Sequence, residues 1–400
     1  MTSLAIPSAP SAPSAPAAPA LPSSPTRERL RWPDVAKGAS ILLVVLHHLV
    51  VKDYLFLVAP AFTPIADAWH GLSYGLKPVR MPLFFVVSGF FAAGAVARPW
   101  RASWRRIVSS YYLYLVWLTV FIGIYAVERD LPANRVTSVA DLLGELVWAA
   151  SSMWFLYALA VYFVIAKVFR PLPPVAVVAA AAVLAASVSW LGIEENNRFS
   201  VLLHLVYFLV GAYFPQFWRS LAVRRVSVPA LLALTVAYSA AAAFVFAGPL
   251  PWSLGAVGAS VLGIPLGILL AARWADSRVG EVLAWVGQRT LRVYVLHLVV
   301  LVALVQLPIG LGEGGLVSLV ATATYPIVMS GVIVAGCFGL HHVLVRLGAG
   351  WLFELPRALD RRLAAAASPP VGTGDSAPAD RMGRAASEKV PSQSRAGTAE

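Results

Sequence analysis

The chain has 400 residues, 59% of them hydrophobic and 12% charged, whereas a soluble domain carries about 25% charged residues. The formal net charge is +12, but the basic residues fall in short stretches between long apolar runs rather than in a stripe interleaved with exposed aromatics. That pattern excludes a nucleic-acid binder and points to a polytopic membrane protein.

Residues 1–29 repeat Ala, Pro and Ser and read as a disordered tail without the basic start and apolar core of a secretory signal. The first apolar segment opens at Arg31-Trp32-Pro33-Asp34. Pro33 suits a first helical turn and Asp34 the positive end of the helix dipole. Lys37 and His48 are eleven residues apart, which at about 100° per residue puts both on one helix face, with Asp34 within roughly 40° of the same line. His47 points about 100° away. Ionisable groups on a membrane helix are costly and commonly functional.

The second segment opens at Arg80-Met81-Pro82-Leu83-Phe84-Phe85 and continues to Ser88-Gly89. Pro82 suits a helix start, and Ser88-Gly89 suits close helix approach. Arg80 at the segment end either snorkels to the interface or binds a ligand. The following stretch holds Arg98, Arg101, Arg105 and Arg106; it serves as an orienting signal and as a candidate phosphate clamp. Trp154 lies in an aromatic run, and Tyr294 and His297, three residues apart, share a helix face. The adjacent pairs His47-His48 and His341-His342 do not converge as metal ligands would, and Cys337 is the single cysteine, so no metal site is expected.

The apolar segments are centred near residues 47, 88, 117, 158, 182, 209, 238, 262, 300 and 333. The fold class expected is therefore an all-α integral membrane protein, a bundle of about ten transmembrane helices over residues 30–363. Residues 364–400 read as a second disordered tail with no further soluble domain. Alternate segment ends are rich in Arg and Lys: Arg31, Arg98 to Arg106, Lys167 and Arg170, Arg219 to Arg225, Arg273 to Arg292, and Arg346 to Arg362. The intervening loops hold Asp67, Glu128, Asp130, Glu194, Glu195 and Glu313. The alternation predicts both termini in the cytoplasm and location in the cell membrane.

Taken together, Asp34-x-x-Lys37-Gly38 running to His48, Met81-Pro82-Leu83-Phe84-Phe85 to Ser88-Gly89, Trp154-Phe155-Leu156, and Tyr294 to His297 resemble the acyltransferase family 3 membrane proteins, in particular the fucose 4-O-acetylase-like branch. The resemblance implies an O-acyltransferase that takes acyl-CoA, most simply acetyl-CoA, as donor and has no bound cofactor. The acceptor implied is a hydroxyl of a cell-envelope sugar, glycolipid or related compound. Lys37 stands where the family's first-helix arginine is expected, with ten residues between it and His48, and keeps the charge without the guanidinium fork. Of the family's two arginines three apart before the third helix, Arg106 fits the second, while Ser103 occupies the first; Arg101 or Arg105 substitutes. The implied roles are His48 as general base with Asp34 and Lys37 beside it, and Arg80, Ser88, Arg101, Arg105, Arg106, Trp154, Tyr294 and His297 in donor or acceptor binding. The family's fused extracytoplasmic hydrolase-like domain is not expected here. The rival reading is a transporter or flippase for a glycolipid or small anion, which also uses intramembrane ionisable groups. The sequence shows no internal repeat with paired broken helices, which weighs against that reading, and consumption of thioester would exclude it.

Overall fold

The computed structural model describes residues 30–128, 135–193 and 196–367, and among these every regular element is a helix. In chain order they are α1 (Trp32–Leu49), α2 (Leu55–Leu57), α3 (Thr63–Gly75), α4 (Lys77–Ala97), α5 (Trp104–Val127), α6 (Val139–Val147), α7 (Trp154–Val168) and α8 (Pro174–Ser187). They continue with α9 (Asn197–Tyr213), α10 (Pro215–Ala222), α11 (Val228–Phe246), α12 (Trp252–Trp274), α13 (Arg278–Gly287), α14 (Thr290–Val305), α15 (Gly315–Arg346) and α16 (Arg357–Ala367). Each of the apolar centres read from the sequence falls on one of these helices. The expected tail at 1–29 lies outside the described residues, as does the second tail beyond 367; α16 carries helix past the boundary expected at 363.

By length and composition six segments suffice to cross a membrane, or eight if each of two bent pairs is one span. The bent pairs are α9 with α10, turned by 80°, and α13 with α14, turned by 79°. The helices at the centres near 158 and 182 are apolar but short; at about 1.5 Å per residue the 15 residues of α7 reach roughly 22 Å, against a hydrocarbon core of about 30 Å.

α1 and α4 sit at the centre. α1 packs on α4, α12, α13, α14 and α15, and α4 on α7, α9 and α12. Two crossings bring backbone against backbone. A Cβ at Gly89 would strike the Phe208 carbonyl, and one at Gly211 the Val86 carbonyl, so glycine is what lets α4 and α9 touch. Gly38 and Gly287 play the same reciprocal part between α1 and α13. Away from the centre, Leu232, Val236 and Phe244 of α11, and Leu316, Val317 and Ile327 of α15, are exposed. An outward apolar face of this kind is what lipid requires.

Pro33 stands in the first turn of α1, with Asp34 beside it. Pro82 differs from expectation: α4 begins at Lys77, with Pro78 in its first turn, and Pro82 is interior. An interior proline frees the carbonyl four residues back; that of Pro78 accepts from Ser260 Oγ at 2.6 Å, and Ser260 in turn accepts from Tyr207 Oη at 3.0 Å. The same repair occurs in α15, where Pro326 frees the Thr322 carbonyl and Tyr54 Oη donates to it at 3.0 Å.

One end of the bundle gathers the basic residues. Arg31 pairs with Asp276 and Glu281, both at 3.6 Å, and Lys167 donates to the Arg98 carbonyl at 2.5 Å, closing the C-terminus of α4. Arg105 pairs with Asp360 of α16. This end is called the Trp32 face below.

Candidate active site

The distal half of α1 delivers His47 and His48 to a cavity of about 230 Å³ on the side away from the Trp32 face. The wall is completed by Lys77, Arg80 and Phe84 of α4, Trp154 and Phe155 of α7, His204 of α9, and Tyr294 and His297 of α14. His47 Nδ1 lies 2.7 Å from Ser73 Oγ, and Arg80 Nη1 donates to the Ser73 carbonyl at 2.8 Å, so Ser73 of α3 ties the end of α1 to the start of α4. Directly after His48 the helix widens into a π turn, Val50–Tyr54, an irregularity frequent at functional sites.

The two central imidazoles are His48 and His297, with ring centroids 5.3 Å apart. His297 Nδ1 sits 2.7 Å from the Tyr294 carbonyl and 3.1 Å from that of Val293. Carbonyls only accept, so Nδ1 carries the proton and Nε2 of the neutral ring presents a lone pair. That Nε2 is buried and unpartnered, as is His48 Nδ1. Buried polar atoms are ordinarily bonded, so these two nitrogens are exceptions, and both rings belong to the lining of this cavity.

The wall opposite α1 is held by backbone accounting. The Glu145 carboxylate accepts from the backbone N–H of Ala150 at 3.0 Å and of Ser151 at 2.9 Å, and Asn197 Nδ2 donates to the carbonyls of the same two residues. Tyr294 Oη donates to the Ser152 carbonyl at 3.0 Å and accepts from the Phe155 N–H at 3.3 Å, a donor that the first turn of α7 leaves free. The aromatic rim of the cavity is thereby anchored to α14.

A second cavity, of about 350 Å³, opens toward the Trp32 face and is lined by Lys37, Phe84, Ser88, Phe91, Arg106, Phe155 and Tyr294, among others. Phe84, Phe155 and Tyr294 line both cavities, which therefore adjoin across those three rings. Lys37 and His48 are eleven residues and roughly 16 Å apart along α1, one in each cavity. Lys37 Nζ is 3.1 Å from Asp34 Oδ1 and lies over the Phe91 ring at 4.9 Å. Ser88 Oγ donates to the Phe84 carbonyl at 2.8 Å.

The sequence candidates thus divide. Arg80, Trp154, His48 and His297 line the first cavity, Lys37, Ser88 and Arg106 the second, and Tyr294 both. Asp34 is buried and reaches the second cavity through Lys37. Arg101, in an exposed turn, and Arg105, engaged with Asp360, line neither. Sequence reasoning passed over His204, Ser152, Asn197 and Ser73. An imidazole in the middle of an apolar segment is signal enough for His204; Ser152, Asn197 and Ser73 carry none. Among the described residues no three His, Cys, Asp or Glu side chains converge as a metal site requires.

A family model described as an acyltransferase domain matches residues 30–342, a stretch that holds both cavities. The chain belongs to acyltransferase family 3. It is a multi-pass membrane protein of that family, and it is 30% identical over 208 residues to "Inner membrane protein YcfT" of Escherichia coli (strain K12). The match covers 47% of this chain and 57% of the relative, so the chain spans little more than half the length of that curated protein. No solved structure matches.

Proposed function

We propose that the protein transfers an acyl group, most simply acetyl, from acyl-CoA to a hydroxyl of a cell-envelope sugar, glycolipid or related acceptor. In this reading it lies in the cytoplasmic membrane with the Trp32 face and both termini in the cytoplasm, and the chain crosses ten times, α7 and α8 counting as short crossings and each bent pair as one. The observation that carries the reading is the adjoining pair of cavities, one lined by Lys37 and Arg106 and the other by His48 and His297.

Acyl-CoA has its phosphates at one end and its thioester at the other. Lys37 and Arg106 suit the charged half. The uncharged acyl end then passes Phe84, Phe155 and Tyr294 to reach the imidazoles. There the acceptor oxygen attacks the thioester carbonyl carbon while its proton goes to the imidazole of His48. As the tetrahedral intermediate collapses the C–S bond breaks, and the proton passes from His48 to the departing thiolate. His297, its tautomer fixed by the Tyr294 carbonyl, accepts a second hydrogen bond from the acceptor and orients it. The small volume of the His48 cavity favours a short acyl group.

The test is thiol release from acetyl-CoA by purified full-length protein supplied with envelope acceptors. A transporter or flippase moves its cargo without consuming thioester. His48→Ala is expected to lower turnover by about 10²–10⁴, the usual contribution of a positioned base, and His47→Ala, whose ring is held by Ser73, by much less. Well-folded His48→Ala protein with near wild-type turnover overturns the assignment.

A further inference from the structure

Arg80 is a cation withdrawn from water, and among the described residues no acid pairs with it. Its residue is 4% exposed, it stands in the first turns of α4, and it lines the His48 cavity. One guanidinium N–H donates to the Ser73 carbonyl at 2.8 Å. Among the described residues the carboxylates that form ion pairs are Asp34, Glu128, Asp276, Glu281 and Asp360, and none pairs with Arg80. No Asp or Glu lines the cavity among the described residues. A buried charge is ordinarily paired, and one neutral carbonyl does not offset its lost hydration. The start of α4 adds the positive end of a helix dipole.

We propose that Arg80 is the seat of a negative charge carried by the acceptor, so that the substrate class is a hydroxyl compound that also bears a carboxylate or a phosphate. The word acceptor rests on the acyl-transfer reading; the anion seat does not. With one N–H on Ser73, the rest of the planar fork is left for a pair of anionic oxygens, the geometry that carboxylate and phosphate share. Ser73 also bonds His47, next to His48, so anion and reacting hydroxyl belong to one small cavity. The donor does not supply this charge, because its acyl end is neutral and its phosphates suit Lys37 and Arg106 beyond the three-ring constriction.

The experiment follows the thermal unfolding midpoint of the full-length protein in detergent, without acyl-CoA and at fixed ionic strength. Inorganic phosphate, glucose 1-phosphate and glucuronate are titrated, with methyl glucoside as the neutral control. At least one anion is expected to raise the wild-type midpoint saturably, by about 2 °C or more, and methyl glucoside is not. Phosphate against glucuronate identifies which anion is preferred. Arg80→Gln is expected to abolish the rise. Arg106→Gln is expected to keep the rise. The proposal is overturned by a wild type indifferent to all three anions, or by a rise that survives Arg80→Gln or depends on Arg106. If Arg80→Gln does not fold, Arg80→Lys decides: an apparent affinity weakened about fivefold or more, as loss of the fork requires, supports the seat, and an unchanged one overturns it. A rise that appears only when Glu194 and Glu195 are both replaced by Gln also overturns it, because the chain then supplies its own anion. Thioester consumption is scored separately, so either reading can fail alone; equal turnover with neutral and anionic acceptors removes the substrate class and leaves acyl transfer standing.

Discussion

Gly38, next to Lys37 in the opening motif, is expected to set the gap between the two central imidazoles. A Cβ there would collide with the Leu283 carbonyl of α13, and a Cβ at Gly287 with the Asp34 carbonyl of α1. Both obstacles are backbone, so a methyl group forces the helices apart rather than turning a side chain aside. The Cβ of Gly38→Ala would lie 1.9 Å from the Leu283 oxygen, where ordinary contact begins at 3.4 Å, so the helices must part by more than about 1 Å, and overpacking of this kind costs about 1–3 kcal/mol. α13 turns by 79° into α14, which holds His297 5.3 Å from His48 of α1. Moving α13 off α1 therefore moves one imidazole relative to the other, and a misplacement of about 1 Å costs about 10² in rate. Gly38→Ala and Gly287→Ala are each expected to lower thiol release by that factor, normalised to folded protein by size-exclusion chromatography. The double variant should lose little more than the worse single, because both side chains enter the same contact. Gly123→Ala, where a Cβ would meet nothing, serves as the silent control. Gly38→Ala with turnover within about twofold of wild type would refute the reasoning, since misplacement on this scale must be felt.

Ser260→Ala leaves the Pro78 carbonyl and the Tyr207 hydroxyl without partners and should lower stability by about 1–3 kcal/mol; an unchanged unfolding midpoint would show that α4 does not rely on that repair. Arg106→Gln should raise KM for acyl-CoA about tenfold or more, the worth of one charged hydrogen bond, whereas Arg105→Gln should not, because Arg105 is turned toward Asp360; equal effects would move the donor's phosphates elsewhere. Cysteines introduced near Asp67 and Glu313 should react with an impermeant reagent from outside intact cells while sites near Arg105 and Arg225 stay silent; labelling of the Arg105 loop would overturn the proposed orientation.

Much of the architecture was legible because membrane helices announce themselves by long apolar runs. The face of α1 was legible too, since helical periodicity alone aligns Lys37 with His48, and Gly89 was readable as a contact residue. What periodicity does not encode is the response of neighbours. Pro82 reads locally as a helix start; it is interior because Pro78 occupies the first turn and Ser260, 182 residues away, accepts the burden of the freed carbonyl. His47 reads as facing away from His48 on an ideal helix, yet both reach one cavity, His47 drawn to Ser73. Arg105 and Arg106 are indistinguishable as charges in a basic stretch. One turns to Asp360 and the other into the Lys37 cavity because they point about 100° apart on α5, and only the packed neighbours say which direction is which.

The same reasoning explains why the first helix contributes to both cavities. Lys37 and Gly38 are adjacent, and about 100° of rotation separates them. Lys37 therefore faces a cavity while Gly38 faces α13, and neither can be moved without moving the other. His48 returns to the face of Lys37 after eleven residues, on the far side of the three-ring constriction. A cation and an imidazole about 16 Å apart on one rigid helix fix the distance between a charged anchor and a reacting centre, which loops do not do. The close α1–α13 contact then ties this ruler to α14, so that Tyr294 divides the two cavities and His297 meets His48. In the proposed reaction the helix that measures the donor is thus also the helix that brings His48 to His297, and Gly38 is the residue at which those two demands meet.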